Sequence, residues 1–233
     1  MWINLDTSGQ KIYLLKMPYR KIPIATDYIY HVFNRSTGQI PIFLDSWDYR
    51  RFTKTAAYYQ GAEKKIKFSH PLRPKITKDQ SEITRKRVEI LAYCIMPNHF
   101  HFMLKQLVDG GIAKFLADLS NSYSKYFNTK YHRNGHLFGG PYKAVLVETD
   151  EQLIHLSRYI HLNPIASHVV KKLKDHPWSS YFEYINDDKE KISSPDIVLG
   201  LLGSQTNYEQ FVQDQVSYAK ELEKIKHLSI DSE

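Results

Sequence analysis

Two short stretches hold residue types that could act together. In Pro97-Asn98-His99-Phe100-His101-Phe102-Met103, two histidines flank one aromatic residue. In Arg158-Tyr159-Ile160-His161-Leu162-Asn163-Pro164, a tyrosine and an amide stand four residues apart. Alternate side chains of a strand share a face. His99 and His101 would then point one way, about 6.5–7 Å apart along the strand, and Phe100 and Phe102 the other. Two imidazoles so placed can grip one divalent metal, and the same pattern also serves as hydrogen-bonded scaffold. On a helix, positions four apart differ by only about 40°. That puts Tyr159 and Asn163 on one side, at the edge of the apolar stripe Leu153, Leu156 and Ile160. An amide oxygen can complete an oxygen- and nitrogen-rich shell suited to Mg²⁺ or Mn²⁺, and a neighbouring tyrosine can attack a phosphate polarised there. Taken alone, the position also suits a core-edge tyrosine. Pro164 disfavours helical conformation at Asn163, so the sequence places that amide at a helix end, with the helix reaching about residue 162.

The elements that must hold these groups follow from pattern. Residues 28–34 are aromatic and β-branched and read as a strand. Asp45 or Ser46 caps a helix over about 47–60 that carries Arg50, Arg51 and Lys54. Residues 61–87 are the most basic stretch, with nine Lys and Arg against three acidic residues, broken by Pro71 and Pro74. They suit either a solvated insertion or a nucleic-acid contact. Residues 88–95 read as a buried strand, turned at Met96-Pro97-Asn98 into a second strand over 99–106. Asp109-Gly110-Gly111 breaks the chain before a helix over about 112–131, where Leu116, Leu119, Tyr123 and Phe127 recur at helical spacing. A loop over 132–142 leads to a short strand, 143–148. Thr149 or Asp150 then caps the helix that carries Tyr159. His176-Pro177-Trp178-Ser179-Ser180-Tyr181 reads as an aromatic-anchored loop, 186–194 as a linker, and 195–227 as two short helices. Strand, helix, strand, strand, helix, short strand is the order of an α+β ferredoxin-like sandwich: an antiparallel sheet with helices on one face. A small C-terminal helical extension follows.

Composition narrows the class. The chain has 233 residues, 42% hydrophobic and 24% charged, which suits one sizeable domain with a small appendage. A formal net charge of +7 favours a polyanionic partner. Seventeen tyrosines and eleven phenylalanines include enough aromatic surface to stack on unpaired bases. No apolar run approaches the roughly 18 residues a membrane span needs, and the first residues lack the apolar core of a secretory signal. With one cysteine, Cys94, no internal disulfide forms. A buried thiol and a cytoplasmic location are expected.

Pro-Asn-His-Phe-His together with Arg-Tyr-Ile-His-Leu-Asn-Pro resembles the single-tyrosine HUH transposases of bacterial insertion sequences, and most of all their REP-associated branch. The likeness extends to Tyr30-His31-Val32-Phe33-Asn34-Arg35, Pro41-Ile42-Phe43-Leu44-Asp45, Asp48-Tyr49-Arg50-Arg51-Phe52, Gly135-His136-Leu137-Phe138, Tyr142-Lys143 and Pro177-Trp178-Ser179-Ser180-Tyr181, in the family's order over residues 17–185. It implies that His99, His101 and Asn163 hold Mg²⁺ or Mn²⁺. Tyr159 would cleave single-stranded DNA near hairpins, through a 5′-phosphotyrosine link and a free 3′-hydroxyl. Arg35, Arg50, Arg51, Lys143 and Arg158 are candidate DNA contacts. The implied organisation is an extension (1–16), a nuclease domain (17–185) containing the basic insertion, a linker (186–194) and a helical tail (195–233). Members act as monomers or homodimers. Many relatives carry Gln-Gly-Arg where this chain has Gly139-Gly140-Pro141, so one arginine is missing here. Two other readings remain: a domesticated protein that binds hairpins without cutting, and an RNA-binding domain that presents aromatic side chains on its sheet.

Overall fold

Strand β1 (Ile29–Arg35) sends Tyr30 and Val32 into one apolar cluster and leaves His31 and Phe33 on the opposite face. This alternation organises the whole molecule, seen in a computed structural model that describes residues 24–62, 68, 85–186 and 191–216. Strand β3 (His99–Gln106) repeats it: Phe100, Phe102 and Leu104 join Tyr30 and Val32, while Met103 faces a second cluster. Strand β2 (Val88–Met96) is buried on both sides. A register shift between Ile90 and Ala92 lets it feed Ile90, Tyr93 and Ile95 to the first cluster and Leu91, Ala92, Cys94 and Met96 to the second. Two buried faces explain why its sequence reads as an unbroken apolar run rather than an alternation.

The sheet order is β2-β3-β1-β4, with β4 at Lys143–Val147 and every pairing antiparallel. With helix α1 (Ser46–Tyr59) between β1 and β2, and α2 (Gly111–Lys130) between β3 and β4, this is the expected ferredoxin-like sandwich. Asp45 caps α1, its carboxylate accepting from the Trp47 and Asp48 amides at 2.9 and 3.0 Å. Gly111 opens α2 where nothing larger fits, because a Cβ there would lie 2.3 Å from the Arg87 carbonyl oxygen. The two helices pack through Phe52, Phe115, Leu119 and Tyr123. Between them lies the buried Asp48 carboxylate, which accepts from Tyr126, Tyr131 and Lys130.

The structure adds a second helical layer on the other face of the sheet. It consists of α3 (Asp150–Ala166), α4 (Tyr181–Ile185), α5 (Asp196–Leu202) and α6 (Gln205–Gln213), packed on β2 through Leu153, Ile160, Tyr184, Val198, Tyr208 and Val212. A polar chain ties this layer together. His161 meets Tyr208 at 2.6 Å and Ser180 at 2.7 Å, and Ser180 receives the Tyr93 amide at 2.8 Å. The described part of the expected linker is also fastened. Glu183 accepts from the Ile192 and Ser193 amides and from the Tyr93 hydroxyl, and Ser194 donates to Ile90.

Helix α3 corrects one boundary. It runs through Pro164 to Ala166 instead of stopping near residue 162. Proline costs the helix one amide donor. Downstream amides satisfy the last carbonyls: Ser167 donates to Asn163, and Val169 and Val170 to Pro164. The aromatic-anchored loop behaves as expected. Trp178 stacks on Tyr49 at 4.9 Å while its carbonyl receives the Ile95 amide. Cys94 is buried, and burial pushes its thiol pKa up. Among the described residues no helix is long and apolar enough to cross a membrane. The 1–16 extension, most of the basic 61–87 insertion and residues 217–227 of the expected tail helices lie outside the described residues.

Candidate active site

The face of the sheet that carries His31, Phe33, His99 and His101 forms the floor of a cleft of about 630 Å³, and α3 forms its wall. The antiparallel register sets Phe33 opposite His101 and Arg35 opposite His99. Phe33, His99 and His101 line the cleft with Arg35 and Lys143, and from α3 come Tyr159 and Asn163. The structure thus brings together all four residues that the motifs singled out. The His99 and His101 rings are 5.0 Å apart between centroids, and the Tyr159 ring stands edge-on to His101 at 5.7 Å. Tyr159 is 48% exposed, and no described residue hydrogen-bonds its hydroxyl. Asn163 is buried, and its amide nitrogen donates to the Tyr159 carbonyl at 3.2 Å, which leaves Oδ1 free to face the cleft.

The hydrogen bonds decide what the imidazoles can offer. Asn98 donates through Nδ2 to the Gln39 carbonyl at 2.8 Å, so its Oδ1 is the atom that meets His99 Nδ1 at 2.6 Å. An amide oxygen only accepts, so His99 carries its proton on Nδ1 and keeps a lone pair on Nε2. His101 Nδ1 lies 2.9 Å from His31 Nε2. Burial lowers the pKa of His31 to about 4. Burial, helped by the nearby Arg35 charge, does the same for His99, and His101 falls well below its ordinary value. The rings are therefore neutral at physiological pH, the state a metal ligand needs. Two neutral nitrogens and an amide oxygen fit a divalent ion that also takes phosphate oxygens. Among the described residues no three His, Cys, Asp or Glu side chains cluster as a metal cage. The third donor here is an amide, outside that set.

Electrostatics favour an anion. Arg35 and Lys143 line the cleft, and among the described residues no acidic one does. The other candidate DNA contacts sit elsewhere. Arg50 lies 5.5 Å from the Trp47 ring, and Arg51 lies over Phe68 and Tyr126, at 4.4 and 5.2 Å. Both ride on α1, which covers the opposite face of the sheet. Arg158 follows Tyr159 by backbone but turns outward. It stacks on Phe211 at 4.0 Å, donates to the Phe211 carbonyl at 3.3 Å and meets His155 at 2.7 Å. The helical turn of about 100° per residue separates it from its neighbour. The Gly139-Gly140-Pro141 departure closes the cleft beside β1, with Gly139 donating to the Arg35 carbonyl and Asn34 to Gly140. His31 is the site residue that motif reasoning missed. Its only signal was parity, since it stands two residues before Phe33 on the face opposite Tyr30 and Val32.

His161, two residues beyond Tyr159, points away into the second core, and burial lowers its pKa to about 3. Its unfolded value is near 6.5. Between those values the unfolded chain binds a proton that the folded chain does not. Its contribution to stability is therefore full above about pH 6.5 and falls as the pH drops, by about 1.4 kcal/mol per pH unit. Denaturant unfolding of the metal-free chain should show a clear loss between pH 7 and pH 5. A flat profile would contradict a neutral, buried His161.

Residues 65–163 match the family model described as "Transposase IS200 like". No curated protein matches the chain. Among solved structures, a REP-associated tyrosine transposase bound to a REP hairpin is 15% identical, with 76% of this chain and 89% of that one covered and a TM-score of 0.49. A protein described as a transposase from Deinococcus radiodurans R1 is 13% identical, with 61% and 95% covered and a TM-score of 0.35.

Proposed function

We propose that this chain, whose residues 65–163 match the IS200-like transposase model, is a single-tyrosine, metal-assisted endonuclease and strand transferase acting on single-stranded DNA beside hairpins. One observation carries the reading: Tyr159 stands edge-on to His101 at 5.7 Å in a cleft lined by Arg35, Lys143 and Asn163.

The residues divide the work. His99 Nε2, His101 Nε2 and Asn163 Oδ1 would hold Mg²⁺ or Mn²⁺. When bound, that ion withdraws charge from a non-bridging phosphate oxygen and so favours attack at phosphorus. Arg35 and Lys143 hold the flanking phosphates of the strand. Tyr159 gives up its proton to water as its oxygen closes on phosphorus. The Tyr159 O–P bond forms while the P–O3′ bond breaks. The leaving 3′-oxygen takes a proton from solvent, and the 5′ end stays on the tyrosine. In the reverse direction another 3′-hydroxyl attacks the phosphotyrosine and rejoins a strand, with no nucleotide triphosphate consumed.

The RNA-binding alternative expects aromatic side chains displayed on the sheet. Phe100 and Phe102 are instead fully buried beneath α1 and α2, and Phe33 is the sheet aromatic that lines the cleft. A hairpin binder without chemistry leaves the convergence of His99, His101, Tyr159 and Asn163 without a purpose.

The test is direct. The full chain is incubated with labelled single-stranded DNA from the palindromes flanking its own gene, with Mg²⁺ or Mn²⁺. A labelled band that resists denaturant, and whose peptide map places the nucleotide on Tyr159, is the expected result. Tight binding with no adduct under either metal would leave only the binding reading.

A further inference from the structure

We propose that His31 is a positioning residue, which fixes His101 in the tautomer that presents a lone pair to the cleft. This rests on the reading of His99, His101 and Asn163 as a divalent-metal site.

Strand pairing places the two rings together. His31 lies opposite Met103 and Phe33 opposite His101, so His31 and His101 are diagonal neighbours on one face. His31 Nε2 meets His101 Nδ1 at 2.9 Å, and the ring centroids lie 5.2 Å apart with 19° between their planes. The His31 ring also packs against Tyr159, with ring centroids 5.9 Å apart and planes at 79°.

Two neutral imidazoles joined in this way share one proton between the facing nitrogens, and it has two possible owners. If His101 Nδ1 owns it, His31 Nε2 accepts and His101 Nε2 is left as a lone pair. If His31 Nε2 owns it, His101 carries its own proton on Nε2, and that N–H turns a donor toward the cleft where a ligand is needed. His99 has no such freedom, because its partner is the Asn98 amide oxygen, an obligate acceptor held in place by Gln39. The two histidines of the motif are thus supported differently: one by an amide that fixes it outright, the other by an imidazole from a strand 70 residues away in sequence. His31 does for His101 what Asn98 does for His99 only while His31 holds its own proton on Nδ1. Partners of this kind typically change metal affinity by about 10–100-fold when removed.

The measurement is Mn²⁺ binding to the DNA-free full chain, read from the free-ion electron paramagnetic resonance signal, with circular dichroism to verify folding. His31→Leu, which keeps bulk and removes the acceptor, should weaken Mn²⁺ by about 10–100-fold. His31→Gln, whose side-chain oxygen can accept from the same nitrogen, should restore most of the affinity. Side-chain ¹⁵N shifts of the wild-type chain in saturating Mg²⁺ give a second readout, with His101 expected as the Nδ1–H form. Wild-type affinity in a folded His31→Leu chain would overturn the role of His31. So would an Nε2–H signal for His101 with Mg²⁺ bound, a result that needs no variant to fold. If Mn²⁺ affinity is instead indifferent to His101→Ala, the metal-site reading itself fails, and the two failures are told apart.

Discussion

Tyr159→Phe is expected to bind hairpin DNA like the unaltered chain and to form no covalent adduct, a loss of at least about 10⁴-fold in cleavage. The substitution removes one oxygen and little else. The phenyl ring keeps its edge contacts with His31 and His101. No described residue bonds the hydroxyl, and the side chain is about half exposed, so stability should move by no more than about 0.5 kcal/mol. Arg35, Lys143, His99, His101 and Asn163 stay in place, so affinity should survive. The experiment pairs a gel-shift titration with a denaturing-gel assay on the same hairpin substrate. An adduct of normal yield from the variant would move the nucleophile to another residue and remove the reason for Tyr159 to face the cleft. Loss of both binding and adduct would mean that the tyrosine serves to hold DNA.

A chain ending at Ser194 is expected to lose cooperative folding, although the missing segment contains no motif. Val198, Tyr208 and Val212 are fully buried in the second core. Each such side chain contributes about 1.5–3 kcal/mol by burial. Their removal also strips His161 of its Tyr208 partner, leaving a buried ring nitrogen unpaired at a further cost of about 1–3 kcal/mol. A loss of this size rivals the whole stability of a typical domain, about 5–15 kcal/mol. Arg158 would also lose the Phe211 ring and carbonyl that hold it on the outer side of α3. Calorimetry of the truncated chain should show a broad transition or none. A monomer with an unchanged melting temperature would make residues 195–233 a dispensable appendage. On our reading the helical tail belongs to the same packed body as the sheet. Its second core backs the helix that carries Tyr159.

Much of this was legible residue by residue. Asp45 and Thr149 announced helix starts by their side chains, and the structure shows both accepting the amides that a cap accepts. Phe100 and Phe102 announced the buried face of β3, and thereby the cleft face of His99 and His101. The end of α3 was not legible. Pro164 weighs against helix locally, yet packing of Leu162 and Ile165 in the second core holds the last turn. Nor was the separation of the arginines. Arg35 and Arg158 each stand beside a motif, and sequence treats them alike. Only Arg35 lies along the cleft, because β1 carries it to the strand end opposite His99, whereas Arg158 sits a third of a turn from Tyr159 against Phe211.

The sequence by itself determined the order of the elements, the shared face of His99 and His101, and the pairing of Tyr159 with Asn163. Each of these depends on the period of a single strand or helix, which is a local property of the backbone. Tertiary structure alone decided that the two pairs meet, that His31 rather than a solvent molecule stands behind His101, and that a second helical layer covers β2. Those facts depend on register between strands and on which element covers which face, and side-chain period within one element carries no record of its partner.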